Sequence, residues 1–189
     1  YKNSYVEWSS IIAGAVLACA LSFVLLQFGA AVGLAQIDLD MSPDANVSPG
    51  GVLATGIWLL WVQVLASLAG GYLTGRMRMP IIGATEHERD MRDGVHGLLV
   101  WATSTLAVVV AAAIGGAFAA MMSPDPVAEA AVTADVAAMR ENVATIFAFG
   151  AGATSLVSAV ISWWAATVGG DHRDTAADHT RYFTFRAVR

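Results

Sequence analysis

Two glutamines, Gln27 and Gln63, are the strongest hydrogen-bonding side chains that this 189-residue chain sets deep in apolar sequence. A carboxamide offers two donors and one acceptor but moves no proton. Facing glutamines therefore supply bonds between helices, or contacts to a neutral solute. Proton pumps and ion transporters need an ionisable group at such depth. No Asp, Glu, Lys or Arg occurs in 8–37, 45–75, 94–124 or 142–170.

Other reactive side chains, Cys19 in the middle of the first run apart, sit outside or at the rims of these runs. His96 begins the third run, where a headgroup or backbone contact is expected of it. His87, His172 and His179 lie among carboxylates, a donor mixture that suits divalent metals, but their spacing matches no ligand set. Asp38, Asp40 and Asp44 likewise lack a calcium-loop pattern. Cys19 is the only cysteine, so no disulfide or zinc pair forms within the chain. No nucleophile–base constellation or phosphate-binding glycine loop is present. The expectation is a chain that is not an enzyme and carries no metal or cofactor.

The elements that position these residues follow from the charge pattern. The chain is 57% hydrophobic and 13% charged, against about a quarter charged in ordinary globular domains. Each uncharged run has 29 to 31 residues. At 1.5 Å per residue, about 30 residues reach roughly 45 Å, enough for a hydrocarbon core and both interfaces. A soluble helix of that length needs a charged face, and these runs have none. Apolar residues do not alternate with polar ones, which excludes barrel strands. The reading is an all-α membrane protein, a four-transmembrane-helix bundle with helices at about 8–36, 51–75, 95–122 and 142–168. Residues 1–170 then form one transmembrane domain and 171–189 a tail.

Basic residues orient it. Lys2, Arg76, Arg78, Arg89, Arg92, Arg173, Arg181, Arg186 and Arg189 fall in segments of one parity, and only Arg140 falls in the other. By the positive-inside rule both termini are cytoplasmic, N-in and C-in. Between the third and fourth runs, Asp125-Pro126 reads as a helix start, and Val132, Val136, Met139 and Val143 recur at helical spacing. That segment predicts a short amphipathic outer-surface helix before helix 4. Glu86 to Asp93, in the charged inner loop, is expected as a short surface helix.

Small residues mark the packing faces: Gly14, Ala18, Gly29 and Gly33 in the first helix, Gly71 and Gly75 in the second, Gly116 in the third, and Ser155, Ser158 and Ser162 in the fourth. They let backbones approach closely, inside the bundle or against another subunit. Spaced matches also hint at a duplication, with Ser67, Gly75 and Arg78 repeated as Ser162, Gly170 and Arg173. In the tail, Arg181, Tyr182, Phe183, Phe185 and Arg186 suit anionic headgroups or a protein partner. So short a patch does not support nucleic-acid binding.

The run Gly70-Gly71-Tyr72-Leu73-Thr74-Gly75-Arg76 precedes Asp93-Gly94-Val95-His96-Gly97-Leu98-Leu99-Val100-Trp101, and the fourth helix ends Ser162-Trp163-Trp164-Ala165-Ala166-Thr167-Val168-Gly169-Gly170. These motifs resemble a group of uncharacterised proteobacterial four-helix inner-membrane proteins, sometimes labelled PhnA-like. The resemblance covers most of the chain and implies a bacterial inner-membrane location, with no chemistry attached. The soluble protein behind that label is similar to zinc ribbons, whose paired cysteines this chain lacks. The expected function is an accessory or scaffolding subunit of a larger inner-membrane complex, with the lipid bilayer and other membrane subunits or further copies of itself as partners. The alternative is a small oligomeric transporter or channel for a neutral or lipid-like solute.

Overall fold

Each long uncharged run becomes helical because, in the absence of water, only a helix satisfies every backbone N–H and C=O within its own segment. In the computed structural model these helices are α1 (Trp8–Ala31), α2 (Pro49–Met77), α3 (Glu86–Met122) and α4 (Ala134–Asp174). The structure describes residues 5–31, 49–80, 83–122 and 134–175. All four helices are long and apolar enough to cross a membrane, and no strand occurs among the described residues.

Local signals set the helix ends. Pro49 takes the first position of α2, where its missing N–H costs nothing. Pro80 follows the end of α2 and blocks its continuation. The chain then turns through Gly83, whose φ of 86° suits a residue without Cβ. At Thr85 the side-chain oxygen accepts the Glu88 N–H at 3.3 Å. Thr85-Glu86-His87-Glu88 is a capping-box sequence, and Glu86 and Glu88 complement the positive end of the helix dipole. α3 therefore begins at Glu86 rather than near residue 95. The charged stretch expected as a separate surface helix is the first two turns of α3.

A second boundary also differs from expectation. α4 runs unbroken for 41 residues from Ala134. The sequence from 134 to 148 contains no proline or glycine to interrupt it. The C-terminal part of the predicted amphipathic segment is thus the start of α4, not a separate helix, while 123–133 lie outside the described residues.

α2 and α3 form the short diagonal of a diamond. α1 packs on both of them from one side and α4 from the other, while α1 and α4 do not touch among the described residues. The two hairpins are therefore not equivalent in their surroundings, whatever their sequence matches. Buried apolar residues are small or β-branched: Ile11, Ala15 and Ala18 of α1, Val62 and Ala66 of α2, Val100 of α3, and Ala159, Ala165 and Ala166 of α4. Without bulk between them, the backbones come close enough for direct contact. Ser162 Oγ donates to the Gly97 carbonyl at 2.7 Å, joining α4 to α3. Thr74 Oγ1 lies 3.0 Å from the carbonyls of Ser10 and Gly70, joining α2 to α1.

The tightest crossing is between α2 and α4. A Cβ at Gly75 would collide with the Ala166 carbonyl and crowd the Gly170 nitrogen, and a Cβ at Gly71 would lie 2.5 Å from the Ser162 carbonyl. Gly56, in the same helix, has open space beside it. Gly75→Ala should therefore lower the thermal unfolding temperature in detergent. Gly56→Ala should leave it unchanged or raise stability by up to about 1 kcal/mol, the helix-propensity difference.

Candidate functional site

One end of the bundle gathers the start of α1, the end of α2, the start of α3 and the end of α4. Asp93 lies two turns into α3, with 2% of its surface exposed. It accepts a short bond from Arg78 Nε, just beyond α2, where the guanidinium is fully buried. From α4, Arg173 reaches the same carboxylate with Nη1 at 3.4 Å and Nη2 at 3.3 Å. Two guanidiniums thus share one carboxylate. Gly170 makes room for it, because a Cβ there would overlap the Asp93 side chain.

Arg173 does more than pair. Its Nη1 also donates to the carbonyls of Gly75 at 2.8 Å and Arg78 at 3.2 Å. The end of α2 leaves carbonyls without an intrahelical partner, so Arg173 acts as a cap supplied by another helix. Its Nε donates to Asp174 at 2.7 Å, and Asp174 in turn accepts from Arg89 Nη1 at 3.3 Å. The resulting chain, Arg78–Asp93–Arg173–Asp174–Arg89, ties α2, α3 and α4 together. Nη1 and Nη2 of Arg78 have no hydrogen-bond partner among the described residues, so its guanidinium is held through Nε.

His96, one turn after Asp93 and fully buried, ties in α1. Its Nε2 accepts the Glu7 backbone N–H at 3.0 Å. An accepting nitrogen carries no proton, so the proton sits on Nδ1, which donates to the Arg92 carbonyl at 2.7 Å. The ring is therefore neutral, with both nitrogens engaged and no lone pair left for a metal. The Glu7 carboxylate accepts the Met79 N–H at 3.0 Å. Arg92 Nε donates to the Tyr5 carbonyl at 2.9 Å, with its guanidinium 5.3 Å from the Tyr5 ring centroid. No three His, Cys, Asp or Glu side chains among the described residues gather as a metal site. The cluster holds the ends of all four helices together.

The small residues divide into two groups. Gly14, Ala18, Gly71, Gly75, Ser158 and Ser162 lie buried or in contact between helices, and Gly29 lies against the Trp58 ring. Ser155 is half-buried, and its carbonyl accepts from Ser158 Oγ at 2.8 Å. A Cβ at Gly116 would meet nothing within 4 Å among the described residues. Gln63 donates to Ser158 Oγ at 3.3 Å, whereas Gln27 is exposed, so the two glutamines do not serve one site. Gly33, Arg181, Tyr182, Phe183, Phe185 and Arg186 lie outside the described residues.

The buried ion chain was not foreseen, although its parts carried a signal. Arg89, Asp93 and His96 recur at intervals of four and three, one helical face, and Gly75–Arg78 repeats as Gly170–Arg173. No protein-family model, curated protein or solved structure matches the chain.

Removing one member of a buried pair strands the other charge. Asp93→Asn leaves two guanidiniums without their carboxylate and should cost about 3–5 kcal/mol. Arg89→Ala breaks a pair in which Arg89 is 35% exposed and should cost at most about 1 kcal/mol. Thermal denaturation in detergent, read beside the gel-filtration profile, separates the two.

Proposed function

We propose that the chain is a non-catalytic subunit of a bacterial inner-membrane assembly, lying in the bilayer with its charged end and both termini cytoplasmic. The bacterial setting rests on the resemblance of its helix-end motifs. The orientation rests on the nine basic residues of one parity. Arg76, Arg78, Arg89, Arg92 and Arg173 all belong to helix ends that meet at the charged end, in keeping with it.

The observation that carries the subunit reading is the far half of α3. Every residue from Leu106 to Phe118 is exposed, on all sides of the helix. Lipid would satisfy such a surface if it were bulky. Beside Leu106, Val108, Val109, Val110, Ile114 and Phe118, which lipid would satisfy, it includes Ala111, Ala112, Ala113, Gly115, Gly116 and Ala117. Each glycine costs about 1 kcal/mol of helix propensity relative to alanine. Neither Gly115 nor Gly116 recovers that cost by close packing among the described residues. Approach of a helix from another subunit is the gain that small residues bring in a membrane.

Purification of the full chain in mild detergent should recover stoichiometric membrane partners or a defined oligomer. Gly115→Leu with Gly116→Leu should abolish that association while leaving the unfolding temperature unchanged. A lone monodisperse monomer, or a double variant that associates normally, overturns the reading.

A further inference from the structure

Halfway along the helices, away from the charged end, α1, α2 and α3 enclose a cleft of about 120 Å³. Its polar lining comes from Ser22, Gln63, Ser67, Trp101, Ser104 and Thr105, with Cys19 beside them. A serine or threonine in an apolar helix normally donates to a carbonyl three or four residues back. Ser104, Thr154 and Ser158 do so. Ser22, Ser67 and Thr105 make no hydroxyl bond within the protein among the described residues, and Ser67 is 8% exposed. Gln63 uses one amide hydrogen on Ser158, keeping its carbonyl and its second hydrogen. Donors and acceptors that the protein leaves unmatched thus converge on one cleft at a depth where lipid matches none of them.

No Asp, Glu, Lys, Arg or His lines the cleft, so a charged occupant would be desolvated without compensation. The volume compares with roughly 30 Å³ of liquid per water molecule, which leaves room for a few waters or one small solute. We propose that this cleft is a binding site for a small uncharged polyol of glycerol's size. Its hydroxyls accept from Gln63 and exchange bonds with Ser22, Ser67 and Thr105. Val108 and Val109, at the near edge of the exposed half of α3, also line the cleft, whereas Gly115 and Gly116 do not.

The chain supplies its own reporter, since Cys19 is its only cysteine and lines the cleft. The full chain in lipid nanodiscs is treated with methyl methanethiosulfonate, a small neutral thiol reagent, and modification of Cys19 is followed by intact mass. Labelling is expected, and glycerol should slow it several-fold in a saturable manner, whereas sucrose, too large for the cleft, should not. Gln63→Leu and, separately, Ser67→Ala should keep the labelling and the unfolding temperature but lose the glycerol protection. Two variants guard against one failing to fold. Failure of Cys19 to label overturns the proposal, because it closes the cleft to small polar molecules. Equal slowing by sucrose, no slowing by glycerol, or protection that survives both substitutions also overturns it, leaving a cleft that holds water only.

Discussion

A single carboxylate, Asp93, neutralises two arginines that arrive from different helices, and the packing of the charged end depends on that arrangement. Taking a guanidinium out of water costs several kcal/mol, which a partner must offset. Arg78 and Arg173 can be buried because Asp93 stands between them, with Asp174 taking part of the charge of Arg173. The same guanidinium of Arg173 caps α2. Charge neutralisation and helix termination are therefore one event, and neither can be relaxed alone.

The glycines follow from this. Gly170 is needed beside the Asp93 carboxylate, and Gly75 where α2 meets α4, because the ion chain spans only the reach of an arginine. From there contact loosens along the bundle. Ser10, Thr74, His96 and Ser162 are buried near the charged end, whereas α3 from Leu106 to Phe118 and α4 from Phe149 to Ala153 are exposed. The bundle is knit at one end and open along its far half. The fold is thus secured at the charged end.

The four helices were legible because uncharged runs of 29 to 31 residues admit few other solutions in a lipid environment. Two boundaries were not, for identifiable reasons. The charged composition of Glu86 to Asp93 obscured a capping box at Thr85 that starts α3 there. Counting charges as solvent-facing also hid the ion chain, since one-dimensional composition cannot distinguish a hydrated arginine from one buried against a carboxylate fifteen residues away in α3, or eighty from it in α4. The small-residue faces were legible as a class. Which of them pack within the chain depended on the diamond arrangement, which places Gly75 in a crossing and Gly116 in none.

The length of α4 has a mechanical meaning. At 1.5 Å per residue, its 41 residues make a rod of roughly 60 Å, about twice the thickness of a hydrocarbon core. One end is gripped through Arg173 and Asp174, and beside them by the close crossing at Gly75 and Gly170. The grip continues through Ser162 on Gly97 and Ser158 on Gln63, so α4 is clamped along several turns and not pivoted at one point. A clamp of that length fixes the direction of α4 as well as its position, so the charged end sets where the rest of the helix points.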